Sequence, residues 1–393
     1  MGLHRRNGMT LAAAMAAAGI VAGVVAAPAQ SAPLPGAGTV LSSAPLTTVA
    51  ALPSAASTRV ITYTSDDDRG RPIVVSGTVA VPRGKAPRGG WPVLSWAHGT
   101  TGYADACAPS ADTADGLDHD YLGPITADLD TWIRKGYAVV QTDYQGLGTP
   151  GGHPYLNGIS EANTVIDIVR AAHNLDPSIG RNWAVAGHSQ GGQATLFTAQ
   201  RAKSRAPQFP LRAAVAIAPG GPGLGQLVPY VKSGLPGSQA NAAFLPLIVL
   251  GAAVADPAVH PDQIFSRAAA PVVKAAQTGC IAQIRAVPQI PAGQLFAPNA
   301  DLGPLSAYLQ QQDPMTNAVP AVPTMVAQGT ADTVVSPYGT HALVAALCLK
   351  GVALDYRLYP GKDHRPTVPA SNVDAQNFVG AAMAGKPTPR TCG

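Results

Sequence analysis

The sequence predicts an α/β fold: a mainly parallel β-sheet flanked by helices, interrupted by a mostly helical cap insertion. Three observations carry that prediction. Short β-branched or Ala/Val-rich runs alternate with stretches of helical periodicity through residues 58–218 and again through 319–393. Residues 183–194 read as a buried strand, a tight turn around one serine and the opening of a helix. Residues 219–318 lose the strand rhythm altogether and are rich in Pro, Gly and Ala, with few charges. A structureless loop of that length does not suit a compact domain, so the stretch is read as a folded cap or lid rather than a linker.

The chain has 393 residues, of which 46% are hydrophobic and 12% charged, enough apolar material for a sizeable core. Sparse charge without dense basic patches excludes a nucleic-acid binder. Residues 1–31 resemble a secretory signal peptide: His4, Arg5 and Arg6 precede an uncharged Ala/Val/Gly-rich stretch, and small residues around Ala27, Ala29 and Ser31 offer a cleavage site. The protein is therefore expected to be secreted. Two of its 26 basic residues are Arg5 and Arg6, so the mature chain, with 22 acidic residues, is nearly neutral and calls for no strongly charged partner. All four cysteines (Cys107, Cys280, Cys348 and Cys392) lie beyond the leader. In an exported chain an even set points to disulfides. Three pairings are open; Cys107–Cys280 and Cys348–Cys392 are favoured, one stapling a loop to the insertion and the other a helix to the C-terminal tail. No Cys/His spacing resembles a zinc site, and no metal or organic cofactor is expected.

Taken in order, residues 32–57 are rich in Pro, Ala, Ser and Thr and are expected to be a flexible lead-in. Residues 59–64 and 73–81 should form an antiparallel hairpin around Asp66-Asp67-Asp68-Arg69-Gly70, whose aspartates lack the spacing of a calcium loop. Strands follow at 93–97, 137–142, 183–188 and 213–218, with helices at 127–135, 161–174 (Ser160 as N-cap) and 193–203 between them. The insertion should hold helices near 242–255 and 264–276. Beyond it come a strand at 324–327, a helix at 337–349, a strand at 354–359 and a final helix at about 370–384.

Gly187-His188-Ser189-Gln190-Gly191 fits a pattern whose chemistry depends on a sharp strand-to-helix turn. The turn exposes the serine hydroxyl, small neighbours let strand and helix approach, and the helix N-terminus faces developing negative charge. Such a serine needs a base and a carboxylate that orients the base. In the α/β-hydrolase fold these follow in the order Ser, acid, His. Asp332 and His364 suit the order, each lying just beyond a strand at the sheet edge where Ser189 sits. Asp143 precedes the serine and is the weaker acid; Asp363 adjoins the histidine and should point elsewhere. His341 falls within a helix, His153, His173 and His260 at loop or helix-surface positions, and His188 should line the elbow. Two backbone N–H groups should hold the oxyanion, those of Gln190 and of Thr100 in the His98-Gly99-Thr100-Thr101-Gly102 loop, with a Thr100 or Thr101 hydroxyl as a further donor.

His98-Gly99-Thr100, Cys107-Ala108-Pro109-Ser110, Asp143-Tyr144-Gln145-Gly146-Leu147-Gly148, Gly187-His188-Ser189-Gln190-Gly191-Gly192, Gly329-Thr330-Ala331-Asp332 and Lys362-Asp363-His364 together resemble the secretory lipases (lipase A type) of fungi and actinobacteria. The resemblance spans most of the mature chain. It implies a secreted serine ester hydrolase, lipase or carboxylesterase, with an α/β-hydrolase core and a helical cap holding an acyl-binding tunnel. Ser189 is then the nucleophile, Asp332 the acid and His364 the base, and the two favoured disulfides are implied as well. Thr100 stands at an oxyanion position that is acidic in the type member, so the backbone donor carries over and the carboxylate does not. The substrate implied is a small-molecule or lipid ester, a triacylglycerol or another lipidic ester, met through transient contact with a lipid interface; since the family includes enzymes of long-chain triacylglycerols and others restricted to short esters, membership leaves the acyl length open. An acyltransferase or peptidase on the same triad is the enzymatic alternative, and a non-catalytic binding protein with this fold the alternative from another class.

Overall fold

The computed structural model describes residues 1–2, 34–235 and 237–392, and the unit described here begins at Leu34. The expected signal segment lies outside the described residues, apart from its first two. Nine strands form one sheet in the order β1-β2-β3-β5-β4-β6-β7-β8-β9. They are β1 (Val40–Pro45), β2 (Ala55–Asp66), β3 (Pro72–Pro82), β4 (Trp91–Ala97), β5 (Ala138–Thr142), β6 (Ile179–His188), β7 (Leu211–Ile217), β8 (Thr324–Gly329) and β9 (Leu354–Tyr359). The first three pair antiparallel, and β3 meets β5 antiparallel. From β5 through β9 every pairing is parallel. The β5-β4-β6 reversal of chain order is where helical crossovers open a crevice beyond the strand ends.

Helices cover both faces. α1 (His119–Arg134), α2 (Gly158–Leu175) and α3 (Gln190–Arg205) follow β4, β5 and β6. The strands alternate between the faces: Trp183 and Val185 of β6 pack with Ile166 and Val169 of α2, whereas Ala184 and Ala186 pack with Trp132 of α1. Between β7 and β8 the described chain holds no strand, only turns, four short 3-10 helices and seven α-helices: α4 (Leu227–Ser233), α5 (Leu245–Ala255), α6 (Pro261–Ile264), α7 (Ala270–Thr278), α8 (Ile281–Ala286), α9 (Gly303–Gln312) and α10 (Pro314–Asn317). These build an apolar cluster of their own, centred on Leu245, Leu247, Val249, Ile284 and Leu305. α11 (Pro337–Leu349) and α12 (Thr367–Met383) complete the layers.

Four sequence expectations need correction, the first being the helix near 264–276: α6 ends at Ile264, Phe265 is extended against Phe296, and α7 begins only at Ala270. The stretch at 32–57 is not a lead-in without structure: β1 pairs with β2 from Val40↔Tyr63 to Pro45↔Arg59, and β2 itself begins at Ala55. An edge strand with four of six residues exposed carries no apolar alternation to announce it. α1 begins at His119, eight residues before its expected start, and continues through Pro124. Tyr121, Leu122, Ile125, Leu129, Trp132 and Ile133 make a buried stripe whose packing outweighs the proline. The cap of α2 is Asn157, whose side chain accepts from Ser160 N at 3.0 Å, rather than Ser160.

Two disulfides join Cys107 to Cys280 and Cys348 to Cys392, the favoured pairing. The first binds the loop after β4 to the start of α8. Beside it Ile281 N donates to Thr101 O at 2.8 Å, and Gly102 forms an isolated bridge with Cys280. That disulfide closes a loop of 173 residues. Removing it as Cys107→Ser/Cys280→Ser is expected to lower unfolding stability by about 2–5 kcal/mol, read from urea denaturation, with far-ultraviolet circular dichroism unchanged.

Candidate active site

Ser189 sits between β6 and α3 with φ 58° and ψ −118°, a left-handed conformation that a non-glycine residue adopts only when its surroundings enforce it. Those surroundings are backbone. A Cβ on Gly191 would lie 1.9 Å from Ala97 O, and one on Gly187 would lie 2.3 Å from Gly191 O. Only glycine lets α3 start this close to β4 and β6. Ser189 N donates to Ile217 O at 2.9 Å, and Ser189 O accepts from Gly220 N at 2.8 Å, so the turn is also tied to the end of β7. These bonds leave the side chain at the mouth of a cavity.

His364 and Asp332 come together from the loops after β9 and β8. Asp332 Oδ2 accepts from His364 Nδ1 at 2.8 Å and from Gln328 Nε2 at 3.0 Å. Its Oδ1 accepts from Val334 N and Val335 N at 2.9 and 2.8 Å. Four N–H donors on one side chain suit a carboxylate, which accepts only. The bond at Nδ1 leaves Nε2 of His364 as the ring atom available to a serine hydroxyl. Ser189, His364 and Thr100 line one small cavity, with no hydrogen bond, among the described residues, between the Ser189 and His364 side chains. Such contacts are often long before substrate binds.

The other candidates fall where their chemistry is structural. Asp363 Oδ1 accepts from Thr333 N at 2.9 Å and from His364 N at 2.8 Å, clamping the two loops together. Those donors hold its carboxyl below the usual range. Asp143 is buried and accepts from Ser110 N at 2.9 Å and Ser76 Oγ at 2.7 Å, partners other than a histidine ring. His188 props the site: Tyr121 OH accepts from Gly99 N at 2.9 Å and meets His188 Nδ1 at 3.0 Å, while His188 Nε2 meets His364 O at 3.2 Å. Burial and the neighbouring His364 hold the His188 ring well below its ordinary range, so it is neutral; with Tyr121 donating to Nδ1, Nε2–H donates to the His364 carbonyl.

One residue placed at a loop or helix surface by the sequence is buried. His153 is fully covered and meets Gln190 Nε2 through its Nε2 at 2.8 Å and Gln145 O through Nδ1 at 3.0 Å. Gln190 Nε2 also donates to Glu161 Oε1 at 2.7 Å. The side chain next to the serine is thus held from beneath by an imidazole and a carboxyl. Nothing local in the sequence links these residues; β5, α2 and α3 bring them together. The Thr100 hydroxyl pairs with Tyr155 OH at 2.7 Å, and Thr101 Oγ1 is buried without a partner.

A cavity of about 610 Å³ opens from Ser189 and Gln190 toward the insertion, where Leu224, Leu227, Phe244 and Ile248 line it. Its polar end is the elbow and the Asp332 loop; its far end is aliphatic and aromatic. Among the described residues no group of His, Cys, Asp or Glu is placed to hold a metal ion, and no helix is long and apolar enough to cross a membrane.

The buried ionisable groups give a pH signature. Burial pushes the Glu161 carboxyl up to about 8 from 4.5, against hydrogen bonds from Gln190 and Leu156 that lower it. Between those values the unfolded chain has released a proton that the folded chain keeps, so Glu161 makes stability fall as pH rises through that window. His153 and His98, held down by burial to about 3 and about 4, act oppositely: their stability is present above their unfolded value of 6.5 and is lost as pH falls. Glu161→Gln is expected to flatten the decline in stability between pH 4.5 and 8, by up to ~1.4 kcal/mol per pH unit, while leaving the acid limb in place. Urea midpoints across the pH range, converted with the denaturant slope, would read this.

The secretory lipase family model matches residues 126–390. A lipase A of Moesziomyces aphidis is 27% identical over 323 residues, covering 74% of this chain and 66% of its own length. This chain therefore spans just under two thirds of that relative. Among solved structures, Candida antarctica lipase A in its closed state superposes with a TM-score of 0.75 at 20% identity, over 91% of this chain and 84% of the other. The rice cell-wall-degrading esterase of Xanthomonas oryzae superposes with a TM-score of 0.68 at 20% identity, over 89% and 97%. These likenesses show the α/β-hydrolase fold, and the family match, which takes in Ser189, Asp332 and His364, places this chain in the secretory lipase family.

Proposed function

We propose that this protein is a secreted serine ester hydrolase that works through an acyl-enzyme. The observation that carries the reading is the 2.8 Å bond from His364 Nδ1 to Asp332 Oδ2, behind a cavity shared with a serine in a strained elbow. Ser189 Oγ attacks the ester carbonyl while His364 Nε2 takes its proton. The backbone N–H groups of Gln190 and Thr100 hold the oxyanion, with the start of α3 adding its partial positive charge. Collapse breaks the ester C–O bond, and His364 returns the proton to the leaving alcohol. Water, deprotonated by the same ring, then releases the acid and regenerates Ser189. Asp332 keeps the imidazole in the tautomer with Nδ1–H and favours the imidazolium that forms.

In this reading residues 219–318 serve as a cap over the core parts 58–218 and 319–393, and the 610 Å³ cavity receives the acyl chain. Its apolar far wall favours a lipidic acyl group over a charged or peptidic one. Export is supported by the signal-like residues 1–31, the family and the two disulfides.

The test is a kcat/KM series on p-nitrophenyl esters from acetate to palmitate. The rate is expected to peak at a chain of medium or greater length, and Ser189→Ala to lower kcat by at least about ten-thousandfold. A folded Ser189→Ala variant that keeps full activity would overturn the mechanism. A peak at acetate would make the protein a short-chain carboxylesterase with the cavity unused.

A further inference from the structure

A second cavity, of about 420 Å³, shares no lining residue with the apolar one. It abuts the small space that contains Ser189 and His364, because Ile281, Arg285 and Arg365 line both. Arg365 follows His364 directly in the chain. Its guanidinium stacks 4.8 Å above the Tyr121 ring, and that of Arg285 lies 5.2 Å above Phe244, so both cations are held at the junction by aromatic faces. Asp118 forms part of the wall. It is 5% exposed, its Oδ1 stands 3.9 Å from Arg365 Nη2, and its Oδ2 has no hydrogen-bond partner. A buried carboxylate oxygen without a donor is costly, and a ligand that supplies one relieves the cost.

The chemistry of ester cleavage assigns a role to this cavity. The base must hand its proton to the leaving oxygen, so the alcohol departs past His364, whereas the acyl chain lies toward Gln190 and the insertion. Resting on the hydrolase reading above, we propose that the groove bounded by Asp118, Arg285 and Arg365 binds the alcohol half of the ester, and that this alcohol carries free hydroxyl groups on neighbouring carbons. The wall presents two guanidinium donors beside the Asp118 carboxyl, which burial pushes up to about 7, with the Asp115 and Asp120 carboxylates at its rim. Hydroxyls donate and accept, and so satisfy both. An anionic alcohol fits poorly, since the exposed carboxylates of Asp115 and Asp120 join Asp118 against two guanidiniums. A long aliphatic alcohol, or a glycerol already esterified at its other positions, would strip water from these ions without replacing their hydrogen bonds. The two sources of such an alcohol are a partly acylated glycerol and a sugar.

The experiment holds the acyl group constant and varies the alcohol: ethyl butyrate, monobutyryl glycerol, butyryl glucose and tributyrin, assayed on the wild type, Asp118→Asn and Arg285→Gln. The wild type is expected to favour a hydroxylated ester over ethyl butyrate by about tenfold in kcat/KM, and that ratio to fall toward one in both variants. The better of the glycerol and glucose esters identifies the source. A ratio near one in the wild type, a preference for tributyrin, or a ratio that survives both substitutions overturns the proposal. Arg285 is solvent-exposed, so its variant keeps the test open if Asp118→Asn does not fold. If no ester is turned over and Ser189 fails to react with an organophosphonate, the hydrolase reading itself falls, an outcome distinct from an indifferent alcohol side.

Discussion

The site depends on one close approach: α3 begins in contact with the backbone of β4. Gly191 lies where any side chain would overlap Ala97 O, and Gly192 where one would lie 2.7 Å from Pro219 Cα. Because helix and strands cannot move apart without opening the sheet, the residue between them is left with φ 58°. The energy that holds a strained residue is spread over the parallel ladder and the two helical layers, which is why the strain persists. Ser189 and the N–H of Gln190 thereby take fixed directions, and under the proposed mechanism preorganisation of that kind is what would stabilise an oxyanion.

Around this turn the protein uses buried polar groups as struts. Tyr121 and His188 connect Gly99 in the β4 loop to the His364 carbonyl, and Asp363 connects the loop carrying Asp332 to the loop carrying His364. Beneath the elbow, Glu161 and His153 hold the Gln190 amide, and a flip of that amide would set its oxygen against the Glu161 carboxyl. Desolvation makes each of these groups expensive if left unpaired, so the networks tolerate few alternative arrangements. Their rigidity and their cost have the same origin.

The insertion meets the core at the candidate site. Cys280 and Ile281, at the start of α8, sit beside Thr101, Gly102 and Cys107 of the β4 loop, and Arg285 in its last turn lines the same small space as Thr100. Phe244 of the insertion faces both the large apolar cavity and the small space holding Ser189 and His364. The disulfide therefore anchors the insertion to the loop that carries Thr100, and the two cavities beside Ser189 and His364 differ in chemistry, apolar in one and ionic in the other.

The sequence by itself determined the alternation of strands and helices, the elbow, and the order in which Ser189, Asp332 and His364 follow the ends of their strands. These features are local, because a buried parallel strand, a glycine-flanked serine and a capped helix each leave their mark within about ten residues. It also made the cysteine pairing a choice among few. Only the tertiary structure decided that residues 40–45 form an edge strand, since one side of a solvated edge needs no apolar pattern. Only it buried His153 against Gln190 and set Asp118 beside Arg285 and Arg365. Those contacts join residues 37 positions apart and more, and their energy lies in excluded water and matched donors. No short window of sequence records them, because desolvation is a property of what surrounds a side chain and not of the side chain itself.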